Sequence, residues 1–231
     1  MFQHLLLFFQ TADIGTDEVT QESESLFSII ANSGTMGIII VAILLFLAVI
    51  ATVIFFERYA TIKQAGRIDE NFINNIRANV SSGNIAGAKA LCQSTDSPVA
   101  RMVEKGLQRI GKPLRDIDAA IENVGNLEIF RLEKNLSTLA SIAGAAPMIG
   151  FFGTVTGMIA AFQKMATEKN VAPDQLAEGI YQALITTAGG LFIGIIAFVG
   201  YNVLVSSVEK VVYKMERTTV DFMDLLQEPT V

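Results

Sequence analysis

The chain has 231 residues and a formal net charge of −6, and 51% of its residues are hydrophobic. This charge balance excludes the strongly basic surface of a nucleic-acid-binding protein, and the single cysteine, Cys92, excludes an internal disulfide or a cysteine-rich metal cluster. Charged side chains are absent from residues 34–56, 135–163 and 179–208. Each stretch exceeds the roughly 20 residues that cross a bilayer, so the sequence predicts an all-α membrane protein with three transmembrane helices.

Residues 1–33, before the first predicted transmembrane helix, carry several acidic side chains and no Lys or Arg. Most Lys and Arg residues lie between residues 57 and 134, and a few more follow residue 208. Because basic residues concentrate in cytoplasmic loops, this pattern predicts an external acidic arm (1–33), a cytoplasmic helical domain (57–134), an external link (164–178) and a cytoplasmic C-terminal helix (209–231). A cleaved leader is the alternative for the arm, which lacks a basic start and a long apolar core.

Turn signals divide the cytoplasmic segment into short helices. Ser and Gly residues at 81–84, the Ser94–Pro98 stretch and the Gly111–Pro113 stretch mark the breaks. After Pro113 nothing interrupts the helical pattern, which predicts one helix continuing into the second span. We expect its apolar face to comprise Ile117, Ala120, Ile121, Val124 and Leu127. The similar pattern in 209–231 predicts that the third span also extends into the cytoplasm.

The second and third spans, 135–163 and 179–208, each carry small residues at helical spacing. The second span has Gly150, Gly153 and Gly157, and the third has Ala183, Gly190 and Gly194. Small faces let membrane helices approach closely, and packing alone is sufficient to explain them. Pro147 removes one backbone hydrogen bond from the second span, which predicts a kink or loosening there.

Two threonines fall on these small faces at matched depth. Thr154 precedes the outer boundary at Lys164 by ten residues, and Thr187 follows the outer boundary at Glu178 by nine. At ~1.5 Å per residue both lie roughly 14 Å below the outer surface, near the midplane of a ~30 Å hydrocarbon layer. A lone threonine often only bonds the carbonyl one turn back, but two at one depth on antiparallel helices indicate a shared polar site.

The three predicted spans contain no Asp, Glu, Lys, Arg or His. Proton relays inside membranes ordinarily use such groups, so a titrating group for ion movement must come from another protein. The same absence argues against an intramembrane aspartyl or metalloprotease. We therefore expect no enzyme activity, no metal and no cofactor.

Two motifs carry a resemblance to a known family. The sequence PMIGFFGTVTGMIAAF, which runs from Pro147 to Phe162, closely resembles the second-span signature of the ExbB/TolQ/MotA proton-channel family. The sequence GIYQALITTAGGL at 179–191 resembles the third-span signature, and Glu57 with Arg58, a charge pair at the inner membrane border, also fits. The resemblance implies a homo-oligomer, expected to be a pentamer, in the bacterial inner membrane with its N-terminus in the periplasm and its C-terminus in the cytoplasm.

The resemblance also implies partners and a site. An ExbD-like single-span protein would occupy a central pore lined by the second and third spans, and its aspartate would carry the proton. Thr154 and Thr187 match the pore-facing threonines of the family, with Thr186 as a further hydroxyl. Gln182 stands where many members have Glu, and because an amide does not titrate, only a hydrogen-bonding role applies here.

The short chain and the three spans favour the ExbB/TolQ branch over MotA, with ExbB the closer match. An ExbB-like subunit would energise a TonB-like protein for outer-membrane transport. The alternatives are a TolQ-like subunit for envelope maintenance, a self-contained ion channel, and a structural scaffold without ion function.

Overall fold

A computed structural model describes residues 34–67, 71–167 and 173–227, and within these ranges the chain is helical and has no strand. The helices are α1 (Gly34–Ala65), α2 (Phe72–Ser81), α3 (Ile85–Ser94), α4 (Pro98–Leu107), α5 (Leu114–Leu132), α6 (Leu136–Thr167) and α7 (Pro173–Gln227). Three stretches are long and apolar enough to cross a membrane, Thr35–Ala65, Leu114–Thr167 and Leu176–Gln227. The predicted all-α fold class is confirmed. The predicted arm 1–33 lies outside the described residues, as do residues 168–172 of the predicted link.

The turn signals between residues 57 and 134 coincide with helix ends. Asn84 caps α3, since its side chain accepts a hydrogen bond from the Gly87 backbone N–H. Ser97 caps α4 in the same way by accepting from the Ala100 N–H, and Pro98 occupies the first helical position. Side-chain acceptors at these positions satisfy donors that have no partner within the helix, and proline is pre-organised for the first turn.

The prediction of one uninterrupted helix after Pro113 was wrong. Helix α5 ends at Leu132 and α6 begins at Leu136. Asn135 lies between them with a φ of 65°, in the left-handed region that Asn tolerates better than most side chains. The break therefore separates α5 from the membrane-spanning helix α6 within a few residues.

Helices α6 and α7 pack along each other, and α1 packs against both. Helix α7 is 55 residues long, so it spans the membrane and continues past it to the short helices α2–α5. From Ala197 onward its buried side chains form one series, and these belong to the main hydrophobic core: Ala197, Leu204, Val208, Val211, Met215, Phe222 and Leu225. Near the end of α7, Phe222 is fully buried and lies against Gly106 of α4. One continuous core thus connects the membrane helices to the short helices.

The buried face of α5 differs from the predicted one at its C-terminal end. Leu127 is 61% exposed, whereas Glu128 is only 3% exposed. The buried series runs through Ile117, Ala120, Ile121, Gly125, Glu128 and Leu132. A carboxylate therefore occupies a core position that the apolar pattern assigned to leucine.

Glu128 is held there by two arginines. Arg101 Nη2 lies 2.7 Å from Glu128 Oε2, and Arg131 Nη1 lies 2.7 Å from Glu128 Oε1. Arg101 also pairs with Asp96 at 2.7 Å, and its hydrogen bond with Glu128 is the main cause that raises the pKa of the Arg101 guanidinium. A buried carboxylate is tolerated when it is paired in this way. The cluster joins α4 to the last turns of α5, beside the break that leads into α6.

We expect Glu128→Gln to lower the stability of the helices between residues 72 and 132 by about 1–3 kcal/mol, because the amide has one acceptor oxygen where the carboxylate gives one to each arginine. The matched control is Glu122→Gln on the exposed side of the same helix, for which we expect a change within about 0.5 kcal/mol. Thermal unfolding of both variants in detergent measures the difference. Equal melting temperatures would contradict a stabilising role for the buried carboxylate.

Candidate functional site

The two threonines that the sequence places at one depth are in contact. The hydroxyl of Thr154 on α6 lies against the hydroxyl of Thr187 on α7, and both side chains are half-buried. The contact lies where the small faces of the two helices meet.

Each threonine hydroxyl donates to a backbone carbonyl of the neighbouring helix, not to the carbonyl one turn back in its own helix. Thr154 Oγ1 donates to the Ala183 carbonyl at 3.0 Å, and Ala183 lies one turn before Thr187. Thr187 Oγ1 donates to the Gly150 carbonyl at 3.0 Å, and Gly150 lies one turn before Thr154. The usual bond to the carbonyl four residues back is therefore exchanged between the helices, which couples their axial positions.

The hydroxyl pair has fewer protons than contacts. Each hydroxyl carries one proton and two lone pairs, so the Thr154 and Thr187 protons serve only two of the three contacts that join these hydroxyls to each other and to the two carbonyls. Thr186, which is buried, adds a further donor, because its Oγ1 bonds the Ala183 carbonyl at 2.7 Å and the Gly150 carbonyl at 3.4 Å. Both carbonyls therefore keep a donor if Thr154 or Thr187 turns toward a third group.

The predicted small residues make this geometry sterically accessible. A Cβ added at Gly150 would lie 2.8 Å from the Thr186 carbonyl oxygen, and one added at Gly153 would lie 2.5 Å from Thr186 Oγ1. A Cβ at Gly157 would lie 2.8 Å from the Ala183 Cβ. Real Cβ atoms do not approach this closely, so the side chains at these positions must be absent for the helices to reach hydrogen-bonding distance.

The same close approach continues along the helix pair toward the start of α6. A Cβ at Gly190 would lie 2.6 Å from the Ala146 carbonyl oxygen, and one at Gly194 would lie 2.5 Å from Pro147 Cγ. Pro147 lies inside α6, which continues past it, so the ring is accommodated against a glycine of the neighbouring helix. Membrane helices tolerate proline when a neighbouring helix supplies space and contacts.

Other predicted site residues lie apart from the hydroxyl pair. Gln182 Nε2 donates to Glu178 Oε1 at 3.1 Å, so its amide is engaged one turn nearer the start of α7. Glu57 pairs with Arg58 on α1, directly after the uncharged stretch 34–56. Arg58 is buried and also donates to the Arg131 carbonyl at 3.3 Å, which links α1 to the end of α5.

Sequence reasoning missed two features of this region. The exchange of carbonyl partners depends on the relative axial position of two helices, which spacing within each helix does not fix. The Glu128 cluster was also missed, although a signal was available: Glu128 continues the four- and three-residue spacing of Ile121 and Gly125 along the buried face. Within the described residues no group of three or more His, Cys, Asp or Glu side chains could hold a metal.

Comparisons with known proteins agree with the motifs. The profile of the MotA/TolQ/ExbB proton channel family matches residues 94–217. The Tol-Pal system protein TolQ of Pseudomonas aeruginosa is 27% identical over 77% of this chain and 82% of its own length. The TolQ protein of Haemophilus influenzae is 44% identical over 33% of this chain, and the biopolymer transport protein ExbB of Xanthomonas campestris is 30% identical over 47% of it. These last two alignments cover only 34% and 43% of the relatives' own lengths.

The family is one of proton channels and transport subunits that work with partner proteins in membrane complexes, and it is not an enzyme family. The match covers more than half of the chain and includes the helix pair that carries the threonines. With its three membrane-spanning helices, the chain belongs to the MotA/TolQ/ExbB proton channel family.

Proposed function

We propose that this chain is the pore-forming subunit of an ion-driven motor in the bacterial inner membrane. Five copies would surround a central space lined by α6 and α7, and an ExbD-like partner would place its single membrane helix there. The partner's aspartate would carry the proton, and the complex would energise a TonB-like protein. A TolQ-like role is the alternative output, since relatives of both names match this chain.

The hydroxyl pair is the single observation that carries this proposal. Thr154 and Thr187 form a polar contact between spans that contain no acid, base or histidine. Hydroxyls can donate to a carboxylate and accept from a carboxylic acid. They can therefore hydrogen-bond the partner's aspartate in its charged and its protonated state without losing a proton themselves. Polar groups inside the membrane are costly to bury, so two hydroxyls in contact there support a functional role for the pair.

The proposed orientation places residues 1–33 and 164–178 in the periplasm, and 57–134 and 209–231 in the cytoplasm. The distribution of Lys and Arg supports it. Gln182 and Thr186 would border the same ion pathway, Gln182 as a hydrogen-bonding group only. Glu57 and Arg58 would mark the inner membrane border at the end of the first span.

Proton flux into liposomes tests the proposal. We expect no flux above background with this chain alone, and flux when it is reconstituted with its single-span partner. The control is a partner whose membrane aspartate is changed to asparagine. Its proton flux should fall to the background level, because the amide cannot release a proton. Flux from the chain alone would favour a self-contained channel instead, and no flux under any of these conditions would favour a scaffold.

A further inference from the structure

An apolar cavity of about 540 Å³ lies between α1 and α7, away from the hydroxyl pair. Its walls include Ala48, Ala51 and Phe55 of α1, and Ile196, Gly200 and Val203 of α7. Among the described residues that line it, only Thr52 has a polar side chain, and its hydroxyl donates to the Ala48 carbonyl at 2.8 Å. The volume falls within the roughly 300–1,000 Å³ of ligand sites in proteins, but these described walls offer no free polar group to a polar ligand.

The cavity lies in the part of the membrane domain next to the basic segment. On α1 it ends at Phe56, immediately before Glu57. On α7 it begins at Phe192, five residues past Thr187, and ends at Val203, six residues before Glu209. It therefore lies between the level of the hydroxyl pair and the first charged residues, where the lipid acyl chains of one leaflet surround the protein.

An aromatic path connects the cavity wall to a positive charge. The Phe55 ring stacks on the Tyr59 ring, with 6.0 Å between centroids and an interplanar angle of 19°. Lys63 Nζ lies 5.5 Å from the Tyr59 ring centroid, and both of these side chains are exposed. The nearest acid on α1, Glu57, is paired with Arg58. The ammonium of Lys63 therefore stands about one to two helical turns past the cavity, at the depth of lipid headgroups.

We propose that this cavity binds one acyl chain of an anionic phospholipid of that leaflet, with the phosphate at Lys63. A flexible hydrocarbon chain can enter a cleft between two helices, whereas a neighbouring helix is ~10 Å or more in diameter and would lie across the cleft. The charge beside the mouth selects the headgroup, since basic residues close to a membrane attract anionic lipids. Gly200 shapes the wall, because a Cβ there would lie 3.0 Å from the Phe55 ring.

Native mass spectrometry of the full-length oligomer tests the site, with phosphatidylglycerol and phosphatidylcholine added at equal concentration. We expect phosphatidylglycerol adducts to exceed phosphatidylcholine adducts about fivefold, as one lysine near the headgroups provides. Lys63→Gln should bring the two lipids to parity. Lys112→Gln, which changes an exposed lysine in the turn between α4 and α5, should leave the preference unchanged. Equal adducts in the unmodified protein, or an unchanged preference in Lys63→Gln, would overturn the proposal.

Filling the cavity tests where the acyl chain lies. Ala48→Phe and, independently, Val203→Phe should reduce phosphatidylglycerol adducts at least about tenfold, because several methylene groups lose their burial. The same spectra report whether each variant still assembles. In the unmodified protein, phosphatidylglycerol with a diazirine at the acyl end should label residues 48–56 and 192–203. Labelling spread evenly over exposed apolar positions such as Phe151 and Ile159 would identify ordinary surrounding lipid and contradict a defined site.

A second copy of the chain is the competing occupant. Thr52→Cys places a thiol in the cavity wall, and the native Cys92 does not interfere, because burial raises its pKa to about 12. If lipid fills the cavity, a maleimide should label Thr52→Cys faster in the intact oligomer after the lipid is stripped with detergent. Labelling that stays slow in the delipidated, still assembled oligomer would show that a second copy covers the cavity and would overturn the lipid assignment.

Discussion

Thr154→Val and Thr187→Val should each reduce partner-dependent proton flux at least about tenfold, the effect of losing one hydrogen bond to a charged group. Valine keeps the shape of threonine and removes only the hydroxyl. A hydrogen bond between membrane helices contributes about 0.6 kcal/mol on average, so either variant should still fold and assemble. The double variant should be no worse than the more severe single one, because the two hydroxyls act as one pair. Flux in the reconstituted complex and the oligomer mass in the same preparation are the two measurements.

Thr156 supplies the matched control. It lies on α6 two residues past Thr154, but its hydroxyl bonds only carbonyls of its own helix, those of Phe152 and Gly153, at 3.0 and 3.1 Å. Thr156→Val should therefore leave proton flux close to that of the unmodified complex. Full activity in both Thr154→Val and Thr187→Val would remove the hydroxyl pair from the ion pathway. A loss in Thr156→Val as large as theirs would show that hydroxyls in α6 matter for general packing.

Gly190→Ala should destabilise the membrane domain by about 1–3 kcal/mol, the usual effect of overpacking. The added Cβ would lie 2.6 Å from the Ala146 carbonyl oxygen and 2.9 Å from the Gly150 Cα. Both are backbone atoms that cannot turn away, so α6 and α7 must separate. Because separation also pulls Thr154 and Thr187 apart, we expect flux to fall together with stability. Thermal unfolding in detergent and proton flux are measured on the same preparation.

Gly189 is the neighbouring control for this prediction. A Cβ added there meets no atom within 4 Å. Both glycines lie in the same helix, so each alanine substitution gains the same helix propensity, up to ~1 kcal/mol. Gly189→Ala should therefore be neutral or slightly stabilising in the isolated chain. If both alanine variants melt at the same temperature, close packing at Gly190 does not control the separation of the helices.

The sequence was sufficient for the fold class and for the chemistry of the spans. Long uncharged stretches identify membrane helices because the bilayer imposes one length and one polarity on every span. Small residues at helical spacing placed Gly150 and Gly190 on packed faces. Helix boundaries between the first two spans followed from local side chains such as Ser97 and Pro98, whose effects act within one turn.

Features set by tertiary contacts could not be predicted in this way. The break near Asn135 depends on one residue in a left-handed conformation, and no proline or glycine marks it. The spacing along α5 could have indicated that Glu128 is buried, but not its partner Arg101, which is 27 residues distant in sequence and brought close by the packing of α4 on α5. The exchange of carbonyl partners between Thr154 and Thr187 depends on the relative axial position of α6 and α7. All three features depend on which residues of different helices meet in the folded chain.

We propose that the hydroxyl pair forms hydrogen bonds with a carboxylate supplied by a partner helix. Electron microscopy of this chain purified together with its single-span partner is the decisive measurement. We expect an oligomer with a central helix from the partner, whose aspartate lies at the level of Thr154 and Thr187. A structure in which these threonines face lipid, or in which the subunits leave no central space, would contradict it.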